Sequence, residues 1–92
     1  MRIQLRRKRG FRIPAGTVSV ARPSKWGNPF RIGPEMTRER AINLFREWLS
    51  APEQQGLVAQ ARIELAGKNL ACWCPLDKPC HAEVWFEVVG DQ

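Results

Sequence analysis

A short, largely apolar segment near the carboxyl end of the chain constrains the fold more than any other feature. Residues 69–74, with the sequence NLACWC, follow a helix-like stretch and are apolar at both odd and even positions. A strand with one face in water alternates polar and apolar residues, whereas a strand with both faces covered does not. The segment therefore predicts a central strand, covered on both faces, in an α/β layer structure.

The rest of the chain carries the patterns of further strands and helices. Alternating residues predict strands at 3–5 and 17–21, and apolar spacings of three and four predict helices at 37–49, 52–66 and 80–89. Gly and Pro mark turns between several of these elements. We predict one domain over residues 1–92, a short, mostly parallel sheet of two to four strands with about three helices. Residues 1–10 are either a flexible basic arm or an edge strand.

The cysteines and the lack of long apolar runs indicate the compartment. All three cysteines fall between positions 72 and 80, whereas a disulfide framework uses an even and dispersed set. Residues 1–9 are charged but lack the apolar run of a secretion signal. No stretch approaches the roughly 20 apolar residues that cross a bilayer. We therefore expect a cytoplasmic protein that does not enter a membrane.

Positive charge is concentrated in the first half of the chain. The net charge is +6, but residues 1–40 hold 11 Lys and Arg against two Glu, while residues 41–92 hold four against seven Asp and Glu. A basic region of this kind is typical of proteins that bind nucleic acid or other phosphates. A solvated surface or a flexible arm explains the same asymmetry. Nucleic acid is therefore a candidate partner for the basic first half.

Three thiols and the only imidazole of the chain converge on one predicted turn. Cys72 and Cys74 share a strand face, because side chains in a strand repeat every two residues. Cys80 and His81 fall in the first turn of the next predicted helix, where free N–H groups and the helix dipole favour anions and thiolates. Ligands of open α/β sheets bind at such turns. We expect a ligand site there, with Cys80 and His81 as candidate catalytic groups and Cys72 and Cys74 as ligand-binding groups.

Two other interpretations of these four residues stay open. By type, they match a tetrahedral zinc site formed by Cys72, Cys74, Cys80 and His81. Their spacing is unlike the common zinc patterns, because the pairs are C-x-C and C-H, and adjacent helical residues project about 100° apart. Free cysteines also pack as small apolar residues with no further role. We therefore favour no metal or cofactor and keep zinc as the alternative.

The loop at 26–30, with the sequence WGNPF, offers further ligand-binding groups. Gly27 permits a positive φ, and the proline after Asn28 favours extended backbone there, which fixes the direction of the carboxamide. A fixed carboxamide can pair with a base or sugar edge. The two aromatic residues of the loop are either stacking surfaces for a base or anchors of the loop. The candidate ligand-binding residues here are Arg22, Lys25, Trp26, Gly27 and Asn28.

These motifs resemble those of a family of small bacterial and phage domains of unknown function. The resemblance rests on GTVSVARPSKWGNPF at 16–30, TRERA at 37–41, LAGKNLACWCPLD at 65–77 and CHA at 80–82. It extends over residues 11–89. It implies that the Trp-Gly-Asn-Pro and Cys-Trp-Cys…Cys-His residues belong to the family pattern. By analogy with nucleotide-binding folds that the family resembles, it also implies a small Rossmann-like arrangement of the layers.

The leading functional hypothesis is a site for a nucleotide or a nucleotide-derived ligand. Asn28 would recognise the base or ribose, and Arg22 and Lys25 would hold phosphate. Cys80 and His81 would bind the ligand or act on it, which allows hydrolysis, group transfer or sequestration without turnover. Whether the protein is an enzyme stays open. The alternatives are a zinc-stabilised module that binds nucleic acid or a protein, and a phage-encoded inhibitor of a host protein.

Overall fold

The last of the described strands is the middle strand of the sheet. The computed structural model describes residues 1–22 and 24–90. Its elements are β1 (Arg2–Gln4), β2 (Thr17–Ser19), α1 (Arg38–Ser50), a 3-10 turn (Pro52–Gln54), α2 (Gln55–Glu64), β3 (Asn69–Cys72) and α3 (Ala82–Val89). The strand order is β1-β3-β2, all parallel, with Ala71 opposite both Ile3 and Ser19. The predicted α/β class, with a short parallel sheet and three helices, is confirmed.

β3 is a buried central strand, as its apolar sequence predicted. Residues 70–72 are all buried. The Leu5 N–H donates to Cys72 O at 2.8 Å and the Val20 N–H donates to Ala71 O at 2.8 Å, so both neighbours stay paired just beyond the strand ends. Because the strands are parallel, their carboxyl ends meet at one edge of the sheet. The loops that leave this edge carry the candidate site.

A side-chain cap begins α1, and a glycine follows α2. Thr37 caps α1, since its Oγ1 accepts a hydrogen bond from the Arg40 N–H at 3.1 Å. The buried residues of α1 recur at the predicted helical spacing: Ala41, Ile42, Phe45 and Leu49. After α2, Gly67 has a φ of +72° and turns the chain into β3. No helix in the described part of the chain is long and apolar enough to cross a membrane.

α3 begins two residues later than the sequence predicted. It spans Ala82–Val89, so Cys80 and His81 lie in the turn before the helix. His81 occupies the capping position but makes no side-chain capping bond, because its ring is engaged elsewhere in the fold. The later start matters for the site, since residues of a turn can direct neighbouring side chains to one point.

Aromatic rings from three parts of the chain meet in the core. The ring centroids of Trp26 and Trp85 are 5.2 Å apart, and those of Phe45 and Trp85 are 5.6 Å apart, both edge-to-face. The Trp85 Nε1–H donates to Trp26 O at 2.8 Å. These contacts attach the long loop before α1 to α3, so the loop is held by the core on one side of the site.

Candidate metal centre

Three cysteine sulfurs meet just past the carboxyl end of β3. Cys72 is the last residue of the strand, and the following segment, residues 73–81 (the Cys loop), brings Cys74 and Cys80 back beside it. The three sulfur atoms lie within 4.8 Å of one another, and the Cys72 and Cys74 sulfurs are 3.8 Å apart. All three thiols are free. Cys72 and Cys80 are buried, and Cys74 is half-buried.

His81 lies beside two of these sulfurs with a fixed tautomer. Its Nε2 lies 2.7 Å from Val20 O, and since a carbonyl oxygen only accepts, Nε2 carries the hydrogen. Nδ1 of the neutral ring is then an unprotonated acceptor. It lies 3.7 Å from Cys80 Sγ and 4.0 Å from Cys72 Sγ. The backbone just after β2 therefore directs a nitrogen lone pair toward the sulfurs.

The objection to zinc based on residue spacing does not apply to this geometry. On a helix, Cys80 and His81 would diverge by about 100° and would be poor partners for one ion. Both residues instead precede α3, and Cys80 Sγ and His81 Nδ1 approach to 3.7 Å. The physical premise of that objection, a helix starting at residue 80, is wrong.

Three distances among the donor atoms can be compared with those of a tetrahedral zinc site. Zinc–sulfur bonds of about 2.3 Å and zinc–nitrogen bonds of about 2.0 Å put two sulfurs about 3.8 Å apart and sulfur and nitrogen about 3.5 Å apart. The distances of 3.8 Å between Cys72 and Cys74, and of 3.7 and 4.0 Å to His81 Nδ1, are close to these values. Val20 O is the kind of outer partner that orients a zinc-bound imidazole. The three cysteines form a cluster that can hold a metal ion, and His81 Nδ1 lies near two of the three sulfurs.

The pKa values of the three thiols are shifted in different directions because the thiols are packed together. Hydrogen bonds from the Cys72 and Cys80 thiols lower the pKa of Cys74, and the nearby Arg38 guanidinium lowers it further. The hydrogen bond with Cys74 raises the pKa of Cys72, the hydrogen bonds with Cys72 and Cys74 raise the pKa of Cys80, and burial raises both. Burial lowers the pKa of His81, so its ring stays neutral. Without an ion, the protein favours the thiolate form of one cysteine among the three. A bound cation would stabilise the thiolate form of all three.

A cavity of about 300 Å³ adjoins the cluster. Its walls include the guanidinium-bearing residues Arg22 and Arg38, together with Phe30, Ile32 and Trp73. Among the described residues that line it, none is acidic. The cavity therefore combines two cations with flat apolar walls, which is suitable for an anion that carries a ring.

Of the two cations predicted to hold phosphate, the structure places one at this cavity. Arg22 lines the cavity, and its Nη1 donates to Asn28 O at 2.6 Å. Lys25 does not line it; its Nζ lies 3.2 Å from Glu64 Oε2 and 4.7 Å from the centroid of the Trp26 ring. Lys25 is thus engaged with a carboxylate and an indole.

The structure distinguishes between the interpretations of two residues in the loop at 26–30. Trp26 is only 3% exposed and packs against Trp85, so its ring is an anchor of the core and has no surface on which a base can stack. Gly27 does not have a positive φ. It is needed for space, because a Cβ there would lie 2.8 Å from Arg22 Cγ and 3.1 Å from Arg22 Cα.

Asn28 lines the cavity, but its carboxamide is largely engaged within the protein. Oδ1 accepts from the Phe30 N–H at 2.8 Å, and Nδ2 donates to Ala41 O at 3.2 Å. The side chain is buried, with 6% of the residue exposed. Its fixed direction, which the sequence predicted from the following proline, positions the loop against α1.

Arg38 is the site residue that sequence reasoning missed. It is the first residue of α1, lines the cavity, lies beside Cys74, and its Nη1 donates to Pro79 O at 3.3 Å. An arginine in the first turn of a helix opposes the helix dipole, which was a signal that something else holds it there. Val20 O gave no signal, because a backbone carbonyl has no sequence signature.

Comparison with known proteins identifies the family. No solved structure matches the chain. A protein of Enterobacteria phage T4, described as an uncharacterized 12.4 kDa protein in the nrdA-td intergenic region, is 33% identical over 75 residues, which are 79% of this chain and 67% of that protein. The family described as a domain of unknown function (DUF4326) matches residues 3–91. The predicted resemblance is therefore confirmed, and the chain belongs to the DUF4326 family.

Proposed function

We propose that this chain is a zinc-stabilised module of the cytoplasm that holds one ion with Cys72, Cys74, Cys80 and His81. The observation that carries the proposal is the approach of His81 Nδ1 to two sulfurs while Nε2–H is fixed on Val20 O. A histidine that only fills space needs neither a ring nitrogen directed at sulfurs nor a fixed partner for its N–H. A histidine that binds zinc has both.

Zinc fits this donor set better than other common ions. Thiolate and imidazole ligands select zinc over calcium, magnesium and manganese, which prefer oxygen. Zinc has no redox chemistry and accepts a compact tetrahedral site. Three free thiols this close together are also compatible with a reducing compartment, which supports a cytoplasmic location.

Four protein donors make the ion structural in this proposal. Catalytic zinc sites keep one position for water or substrate, whereas structural sites fill all four with protein atoms. Cys80 and His81, the candidate catalytic groups, are then ligands that fasten the Cys loop to β3. The proposal thus favours a binding module over an enzyme.

Metal content and a cobalt spectrum test the zinc site. We expect about one zinc per chain in protein purified without chelator. We also expect cobalt(II) to give the absorption of a tetrahedral thiolate site, with reduced intensity in Cys80→Ser. Lys68→Ala, a change of an exposed residue before β3, is the control and should match the parent chain. Metal-free protein that takes up neither ion under reducing conditions would overturn the proposal.

A second candidate function, a nucleotide-type ligand in the adjoining cavity, is supported by one separate observation. Arg22 and Arg38 line a cavity whose described walls hold no acidic residue, beside the half-buried Phe30 and the exposed Trp73. Its volume of about 300 Å³ is at the lower end for small-molecule sites. The ligand would place phosphate on the two guanidinium groups and its ring on the apolar walls, for binding, sequestration or turnover.

Thermal shifts with a panel of nucleotides test this second function. We expect at least one nucleotide to raise the melting temperature, and Arg38→Gln to abolish that shift. Lys25→Gln removes a cation that does not line the cavity, and it should keep the shift. No shift with any nucleotide at millimolar concentration would reject the hypothesis.

A further inference from the structure

We propose that the basic loop at residues 6–12, together with Trp73 of the Cys loop, binds single-stranded nucleic acid. This proposal goes beyond the zinc site and does not require that an ion be bound there. It rests on three features of the structure: a dense set of free cations, a loop held in shape at both ends, and an exposed indole beside them.

The cations of the basic loop have no acidic partners in the described part of the chain. Five of its seven residues are basic and exposed: Arg6, Arg7, Lys8, Arg9 and Arg12. The salt bridges of residues 1–22 and 24–90 are Lys25–Glu64 and Arg46–Glu87, and neither involves this loop. Positions 1–34 contain no Asp or Glu. Such a concentration of unpaired charge attracts a polyanion.

The basic loop is anchored at both ends. Leu5, just before it, is buried and its N–H donates to Cys72 O. At the other end, Phe11 packs against the core, and its N–H donates to Lys8 O at 2.9 Å. Gly10, with a φ of +86°, permits the turn between them. A loop that is already ordered loses less entropy when it binds than a flexible arm does.

Trp73 supplies a flat apolar surface next to this charge. It is 46% exposed, and the Arg7 guanidinium carbon lies 5.3 Å from its ring centroid. Its chain neighbours Cys72 and Cys74 hold it in place, since both belong to the sulfur cluster. An exposed indole with an arginine against it is the combination on which unpaired bases stack while their phosphates contact cations.

Trp73 also connects the basic loop to the cavity. It contacts the Arg7 guanidinium and also lines the cavity that Arg22 and Arg38 share, so the indole adjoins cations of both regions. Bases of a duplex are stacked on each other and cannot reach such a ring, which favours a single strand. A membrane surface would be favoured by a basic amphipathic helix, whereas this loop is a non-helical turn.

Fluorescence anisotropy with a labelled mixed-sequence oligonucleotide tests the proposal. We expect single-stranded DNA or RNA to bind more tightly than the matching duplex. The logarithm of the binding constant should fall with the logarithm of salt concentration by about 0.7 for each phosphate contacted. Trp73→Ala and Arg7→Ala should each weaken binding by roughly five- to a hundredfold, the range for loss of one stacking contact.

Controls separate this proposal from the zinc site and from general charge. Lys68→Ala removes one positive charge just before β3 begins, at the opposite edge of the sheet, and should leave the affinity nearly unchanged. Zinc content is measured on every variant, so a Trp73→Ala protein with normal zinc and weak binding supports the surface directly. If the chain takes up no zinc but still binds the oligonucleotide, the binding supports the proposed surface, and the missing zinc contradicts only the metal proposal.

Three results would overturn the proposal that this surface binds single-stranded nucleic acid. The first is equal affinity for duplex and single strand. The second is unchanged affinity in Trp73→Ala. The third is binding to vesicles that contain anionic lipid without binding to any oligonucleotide, which would assign the loop to a membrane surface.

Discussion

At the scale of single residues, Gly27 is important because it has no side chain. Any Cβ at this position meets the backbone and side chain of Arg22, at 3.1 Å and 2.8 Å. Arg22 cannot move freely, because its Nη1 donates to Asn28 O across the same turn. Glycine therefore lets two segments of the loop approach closely beside Arg22, which lines the cavity.

We predict that Gly27→Ala destabilises the protein by about 1–3 kcal/mol, the usual cost of overpacking. Urea unfolding of the variant measures this change. Gly56→Ala is the matched control, since a Cβ there has no neighbour within 4 Å and the residue lies in α2. That control should be neutral or more stable than the parent chain, because alanine favours a helix. Equal stability of Gly27→Ala and the parent would contradict the contact.

Residue types alone predicted some of the site and missed other parts for a clear reason. The four donors were identifiable because Cys and His are rare and clustered here. The burial of Trp26 could not be identified from the sequence, since it depends on Trp85, which is 59 positions away along the chain. Its role as an anchor stood as one of two interpretations, and tertiary packing selects it.

At the scale of elements, α1 depends on its amino-terminal cap. Thr37 satisfies the Arg40 N–H, and Arg38 in the same turn lines the cavity. We predict that Thr37→Ala lowers the free energy of unfolding by about 1 kcal/mol. Thr37→Ser keeps the hydroxyl and should restore most of the loss. Chemical denaturation of both variants measures the difference; equal losses in the two would show that the hydroxyl contributes nothing.

Element positions were predictable where a pattern is long or where a residue type is diagnostic. The apolar stripe of α1 repeats over several turns, and the apolar run of β3 is typical of a strand covered on both faces. The start of α3 was not predictable, because Cys80-His81 has no capping residue and the His81 ring bonds to Val20 instead. The helix boundary therefore lies two residues later than the apolar pattern indicated, and the His81 ring contacts a strand end that is distant in sequence.

One side chain also joins two parts of the site that are distant along the chain. The Arg2 side chain, at the start of β1, donates through Nη2 to Pro75 O at 2.9 Å and to Leu76 O at 2.7 Å. The first strand therefore supports the backbone of the Cys loop as well as pairing with β3. Order in the Cys loop depends on the amino-terminal strand and on the cluster together.

At the scale of the whole molecule, a bound ion adds to stability in proportion to its affinity for the folded state. The sulfur cluster ties the Cys loop to the end of β3, so an ion there stabilises folded over unfolded chains. We predict that a chelator lowers the melting temperature of the zinc-loaded protein, and that added zinc restores it.

Cys80→Ser supplies the matched comparison for this prediction. Its melting temperature should be lower than that of the parent chain even without the chelator. It should change little when the chelator is added, since one donor is already lost. Differential scanning calorimetry of both proteins with and without chelator makes the measurement. An equal fall in both proteins would show that the chelator acts elsewhere.

The position of β3 has a consequence for how the chain is made. β1 and β2 do not pair with each other, and each depends on β3, which comes near the end of the sequence. During synthesis the two early strands leave the ribosome long before their partner does, and long-range pairing of this kind is slow. The cysteines follow within the same late stretch, between positions 72 and 80. Sheet formation and assembly of the sulfur cluster therefore belong to one late event, so a chain truncated before β3 lacks both.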